Sequence, residues 1–308
     1  MPILNIILPI FSVIFLGYFL KRIRFFDESF VRVLNQLVYH IVLPVLVFWE
    51  ISRSPFEESF NGELVAVVFI AMGFLFGFIM IGGRFLGFTP AQRGSLAQGS
   101  FRGNLAYIGL ALAANIYGNP GLSKAGVLAG FMIPFMNFFS VLGLLLSQPK
   151  QPRKHSLSHL IRTTFLNSLI LASFLGLGFS YLSLALPPLL ANTFKMISGI
   201  SLPLALLSMG GNLSFQAVKG DIRPAIGATF LKLVGLPLMG LVLLHYWGIG
   251  GLDYKITLLL LSCPTAVITY IMSSELGGDQ DLSASIVMLT TLGSMATLPF
   301  WIWFVGIY

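Results

Sequence analysis

Gly99-Ser100-Phe101-Arg102-Gly103-Asn104-Leu105-Ala106-Tyr107-Ile108-Gly109 sets an arginine, a glycine and an asparagine side by side within an otherwise apolar stretch. Glycine weakens a helix at such a point, and an Asn side chain competes for the backbone hydrogen bonds. A second stretch, Ser262-Cys263-Pro264-Thr265-Ala266, lies 160 residues further on, so that Gly103-Asn104 falls on Cys263-Pro264. Pro264 removes a backbone donor and clashes with the preceding turn. Two apolar helices are thus interrupted at corresponding places, a pattern that points to the binding site of a secondary transporter.

The rest of the chain reads as that of a membrane protein too. Of 308 residues, 56% are apolar and 9% charged, and the mean hydropathy is +0.89. Soluble domains carry about 25% charged residues, so a water-facing globule, a disordered chain and a disulfide scaffold are excluded. Apolar runs predict ten spans, near 3–20, 33–51, 63–85, 94–116, 122–147, 163–185, 190–213, 222–247, 254–275 and 283–306. The start reads as a retained first helix, because Lys21, Arg22 and Arg24 follow the apolar run instead of preceding it. Gln148 to Arg162 is the longest polar connector.

Charge sets the orientation. Lys21, Arg22, Arg24, Arg32, Arg84, Arg93, Lys150, Arg153, Lys154, Arg162, Lys219 and Arg223 fall in one set of alternate loops, and Arg53, Lys124, Lys195 and Lys255 in the other. Twelve against four places the first set in the cytoplasm and both termini outside. The net charge of +7 has the same origin, and no basic soluble domain exists to bind nucleic acid.

The halves repeat. Phe15-Leu16-Gly17 returns as Phe174-Leu175-Gly176 and Leu43-Pro44 as Leu202-Pro203, both displaced by 159 residues. Leu122-Ser123 returns as Leu282-Ser283, displaced by 160. Five helices is an odd number, so the second copy enters the membrane from the opposite side. The expected fold is an all-α integral membrane protein of ten transmembrane helices. They form two inverted five-helix repeats, residues 1–155 and 156–308, with helices 4 and 9 broken and crossed.

A broken helix offers amide donors and a positive dipole end at one side of the break, and carbonyls at the other. Arg102 adds a permanent cation whose planar fork suits a carboxylate. A small organic anion is therefore the expected substrate, bound by Arg102, Gly103, Asn104, Ser100, Tyr107, Cys263, Pro264 and Thr265. The alternative for Arg102 is a structural arginine held by carbonyls, and no acidic residue of the spans presents itself as its partner. Asn104 and Thr265 could equally satisfy freed backbone groups. Lys232 lies about 14 Å along its helix from Arg223, near mid-membrane. It reads either as a proton-sensitive counter-ion or as a brace bonded to unwound carbonyls. Pro44 and Pro203, at matching places in the second and seventh helices, read as kinks, which can also shape the pocket in a coupling or supporting role. Gly73 with Gly77, and Gly126 with Gly130, have helix-packing spacing. His40, His155, His159 and His245 form no metal set, the lone Cys263 forms no disulfide, and no cofactor motif is present. Glu275, Asp279 and Asp281, on the cytoplasmic side after the ninth helix, could relay protons, but solvated loop charges are the commoner reading.

The Arg102-Gly103-Asn104 stretch with Tyr107-Ile108-Gly109, together with Pro264-Thr265-Ala266, resembles the auxin efflux carrier family in its bacterial form, which includes malonate and malate carriers. Leu43-Pro44, Lys232 ahead of Pro237, and the pair Pro134 and Asn137 add to the resemblance, which spans nearly the whole chain. It implies a scaffold of helices 1, 2, 6 and 7 and a transport unit of helices 3–5 and 8–10, moving as an elevator. It also implies a homodimer, with Asn137 in a coupling or supporting role. The long central loop of the plant auxin carriers is missing, and Gly103-Asn104 stands where the plant crossover has Asn-Pro. The sodium/bile-acid symporters share the crossed-helix plan, but their sodium sites need acidic and amide ligands of which few are visible here.

The expected function is secondary active transport of small carboxylates or dicarboxylates, such as malate or malonate, by alternating access in the bacterial inner membrane. Proton coupling fits this reading better than sodium coupling. A sodium-coupled symporter is the nearest alternative and a passive anion channel a more distant one. An enzyme would need convergent acid, base or metal residues, and the sequence offers none beyond Lys232 and the cytoplasmic carboxylates.

Overall fold

A computed structural model describes residues 2–56, 60–147, 168–213 and 222–306. The central connector Gln148–Arg162 and Lys219 lie outside these residues. Every described element is a helix: α1 Pro2–Arg22, α2 Glu28–Ser52, α3 Gly62–Phe85, α4 Pro90–Phe101, α5 Leu105–Leu146, α6 Ser168–Tyr181, α7 Pro188–Asn212, α8 Arg223–Tyr246, α9 Gly251–Leu261, α10 Ile268–Glu275 and α11 Gln280–Phe304. Six of them, α2, α3, α5, α7, α8 and α11, are long and apolar enough to cross a membrane. The segments expected near 94–116 and 254–275 are each divided, which is why neither α4, α9 nor α10 reaches that length alone.

Local chemistry sets the ends. Asp27 caps α2 by accepting the Phe30 N–H at 2.7 Å, and that bond holds its carboxyl below the ordinary range. Because the folded value is depressed, the cap is intact at neutral pH and is lost as pH falls through that value. Thr89 and Gln92 form a reciprocal capping box ahead of Pro90. Asp279 caps α11 through the Leu282 N–H.

The 42-residue run of α5 would be about 60 Å long if straight, twice the thickness of a bilayer core. It is divided at Gly118, whose φ of 62° and ψ of −153° are not helical. A Cβ on Gly121 would lie 2.9 Å from the Ala113 carbonyl oxygen. Residues eight apart on a straight helix are separated by about 12 Å, so the chain folds back at Gly118 as a helical hairpin.

The residues group into two compact units. Unit 1 comprises Met1–Gly62, Leu105–Phe131 and Phe165–Leu213. There α1 lies directly on α7: a Cβ on Gly17 would strike the Leu207 carbonyl, and one on Gly210 the Ile14 carbonyl. Ser201 of α7 donates to the Val42 carbonyl of α2 at 3.0 Å, and Phe48 meets Phe179 and Phe194 edge-on. Unit 2 comprises Glu63–Asn104, Met132–Thr164 and Ser214–Tyr308. There α3 packs on the second arm of α5 through Phe69 on Phe135 and Phe76 on Phe139. Each unit draws on both halves of the chain.

Two helices carry a wide π-turn just before a proline. Val38–Val42 precedes Leu43-Pro44, and Leu231–Gly235 precedes Leu236-Pro237. Proline cannot donate to the carbonyl four residues back, and the widened turn absorbs that loss. At Pro203, by contrast, α7 runs on without interruption. The glycine spacings need correction: Gly130 touches Ser173 closely, but Gly73 makes only ordinary contact and Gly77 none within 4 Å. The closest helix contacts go through Gly17 and Gly210 instead.

Candidate functional site

Both interruptions lie in unit 2, and the structure brings them together. After α4 the chain turns extended at Arg102, with φ −77° and ψ 95°. After α9 it is non-helical from Ser262 to the start of α10. Gly103 pairs with Thr265 in an antiparallel bridge. The Asn104 N–H donates to the Pro264 carbonyl at 2.8 Å, and the Ala266 N–H to the Arg102 carbonyl at 3.0 Å. Each break thereby satisfies backbone groups of the other, which a helix interior cannot do once opened.

Side chains lock this pairing. The Thr265 N–H donates to Thr290 Oγ1 at 3.1 Å, and Thr265 Oγ1 donates to the Gly99 carbonyl at 2.7 Å. Gly99 is required for close approach, because a Cβ there would lie 2.9 Å from Ile286 Cδ1 of α11. Ser100 returns its hydroxyl to the Leu96 carbonyl of its own helix, and Cys263 directs its thiol to the Leu259 carbonyl. Both side chains are fully buried, so these two positions reach the crossing through their backbone alone.

Arg102 is 5% exposed. Its Nη2 donates to Asn137 Oδ1 at 2.6 Å and its Nη1 to Ser140 Oγ at 3.1 Å, both on the second arm of α5. An amide oxygen and a hydroxyl orient the guanidinium without themselves being charged. Asn137, expected in a supporting role, is thus a direct partner of Arg102. Lys232 is fully buried and donates to the Leu261 carbonyl at the end of α9. Pro44 is buried in α2 of unit 1 and Pro203 lies within α7 of the same unit.

Tyr107 belongs to unit 1. Its hydroxyl is 3.5 Å from Asn35 Oδ1, which also accepts from Ser208 of α7. Asn35 and Ser208 escaped the sequence reading; a lone Asn in an apolar-faced helix was the available signal. A second polar group in unit 2 also escaped it. Ser95, Gln98, Ser273 and Ser283 are all fully buried and hydrogen-bonded to one another across α4, α10 and α11. The Ser95 hydroxyl is 3.0 Å from the Asp279 carbonyl, and Gln98 Nε2 donates to the Thr269 carbonyl. Glu50 is an acidic residue within α2 of unit 1 and only 9% exposed. Its neighbour Arg53 stacks on Trp49, 4.6 Å from the ring centre. Among the described residues no group of three or more His, Cys, Asp or Glu side chains is placed to hold a metal.

Apolar helices of membrane-spanning length, with two paired helix breaks and an arginine beside them, describe a multi-pass membrane protein. Residues 2–302 match the family described as membrane transport protein, and the chain belongs to that family, the auxin efflux carriers. It is similar to an uncharacterised transporter of Methanothermobacter thermautotrophicus, 27% identical over 297 residues that cover 96% of each chain. A Rhizobium meliloti protein named as a proposed malonate transporter is 27% identical over 315 residues, covering 96% of this chain and 93% of that one. A shorter match, 31% over 114 residues, covers 36% of this chain and 33% of the ileal sodium/bile acid cotransporter of Oryctolagus cuniculus.

Proposed function

We propose that the chain is a secondary active carrier of small organic anions, dicarboxylates such as malonate or malate, working by alternating access. The observation that carries this reading is Arg102, a permanently charged fork oriented by Asn137 and Ser140 at the edge of two paired helix breaks. A permanent cation in an apolar span is costly, about 3 kcal/mol on insertion scales, and an anionic ligand is the partner that makes it useful. In this reading Arg102 takes one carboxylate bidentately. The amides that open α10 after the break, with Gly103, Asn104 and Thr265 beside them, add donors and a favourable dipole. Ser100, Cys263 and Pro264 shape the backbone of the break. The name of the Rhizobium meliloti relative supports malonate as the first substrate to test.

The finer architecture is proposed with it: ten spans in two inverted repeats, 1–155 and 156–308, with both termini outside the bacterial inner membrane, in a homodimer. Unit 1 contains α1, α2, α6 and α7, which supports their role as the scaffold of an elevator, although it also takes in Leu105–Phe131 from helices assigned to the transport unit. Protons are the proposed coupling ion. The match to the bile acid cotransporter favours a second reading, sodium coupling on the same plan. Purified protein in liposomes should take up labelled malonate saturably, and Arg102→Ala should remove that uptake. Uptake of every tested anion that is unchanged by Arg102→Ala would overturn the assignment.

A further inference from the structure

Lys232 holds a position that anion binding does not require. It is fully buried, and its Nζ donates to the Leu261 carbonyl at 2.7 Å. Leu261 is the last residue of α9, so the ammonium stands at the C-terminal end of a half-helix, where the dipole gathers partial negative charge. The other three carbonyls of that last turn take local donors. Leu258 accepts from the Ser262 N–H and hydroxyl, Leu259 from the Cys263 thiol, and Leu260 from the Cys263 N–H. Of these four acceptors, Leu261 alone receives its named donor from another helix.

The segment that delivers the lysine is built for the purpose. Pro237 has no N–H, which releases the Leu233 carbonyl from the ladder of α8. Trp301 Nε1 of α11 donates to that carbonyl at 2.8 Å, and Trp301 is itself buried. Gly293 leaves the room needed, since a Cβ there would lie 2.8 Å from Leu233 Cδ1. The π-turn Leu231–Gly235 is thus fixed from α11, and it aims Lys232 at the break.

In carriers with discontinuous helices, the carbonyls at a half-helix C-terminus are where a coupling sodium ion is coordinated. An ammonium is a compact point charge with three donors and is the side chain most like an alkali ion. We infer that Lys232 is a tethered cation standing in the place of a coupling sodium ion at the end of α9, so that transport by this chain is independent of sodium. The inference rests on the carrier reading above and decides between its two versions.

The test compares sodium chloride with choline chloride at equal ionic strength, reading the thermal unfolding midpoint of purified protein and its malonate uptake in liposomes. The wild type should unfold at the same temperature and transport at the same rate in both salts. In Lys232→Ala the vacated carbonyl should accept sodium, so its midpoint should rise in sodium chloride. Its uptake should fall at least tenfold in choline chloride and recover in part with sodium. A several-fold rise of wild-type uptake with sodium, or a Lys232→Ala midpoint indifferent to sodium, would overturn the inference. Should the alanine variant not fold, Lys232→Met keeps the volume. Wild-type uptake rates retained by Lys232→Met in choline chloride would overturn it equally, and their loss would support it. The unfolding measurement contains no organic anion, so a failure of malonate as substrate leaves it standing.

Discussion

Arg102 donates to two neutral groups, Asn137 and Ser140, and removing either loosens the fork without removing its charge. A hydrogen bond to a charged group contributes about 1.5–3 kcal/mol, so Asn137→Ala should raise the malonate KM roughly tenfold or more, with a smaller change in kcat. Ser140→Ala, at the longer contact of 3.1 Å, should do less. Arg102→Lys keeps the charge but loses the planar fork and should also weaken binding at least tenfold; uptake kinetics in liposomes read all three. A KM unchanged in Asn137→Ala would mean that the amide does not position the arginine for its substrate. Arg102, Gly103, Asn104 and Pro264 were legible in the sequence because a charge, an amide or a proline stands out in an apolar run. Ser140, Thr290 and Ser208 were not, because membrane helices carry many hydroxyls that bond their own preceding turn, as Ser262, Thr290 and Thr291 also do here. Only the fold tells which hydroxyl faces a neighbour.

At the scale of elements, prolines and glycines were visible in the sequence but their consequences were not. Leu43-Pro44 and Leu202-Pro203 look alike, yet a π-turn precedes the first and α7 continues through the second. Two like dipeptides thus end in different local geometry, which the dipeptide alone does not encode. Likewise the regular four-residue spacing of Gly73 and Gly77 suggested contact, whereas Gly17 and Gly210 make it. Gly210→Ala drives a methyl group into the Ile14 carbonyl and should cost about 1–3 kcal/mol or more. Gly77→Ala, with open space around it, should be neutral or slightly stabilising. Thermal unfolding in detergent distinguishes the two, and an unaffected Gly210→Ala would contradict the α1–α7 contact. Trp301→Phe leaves the Leu233 carbonyl buried without its donor and should destabilise by about 1–3 kcal/mol.

At the scale of the whole molecule, composition alone announced a membrane protein, and the basic residues predict an orientation for it. The grouping into units was less accessible, because each unit assembles segments from both halves of the chain. Orientation has a direct test, since the single cysteine, Cys263, is fully buried and leaves a silent background for labelling. Both Arg84 and Lys195 are exposed. In intact cells a membrane-impermeant thiol reagent should label Lys195→Cys and spare Arg84→Cys; the reverse would invert the topology. The proposed cargo of this transporter is a small organic anion held at the paired breaks by Arg102. The most direct measurement is uptake of labelled malonate and malate by purified protein in liposomes, wild type beside Arg102→Ala, with and without an inward proton gradient. Saturable uptake that the proton gradient raises and Arg102→Ala abolishes is the predicted result. Correctly inserted, folded protein that takes up neither dicarboxylate, or takes them up equally well without the arginine, would contradict it.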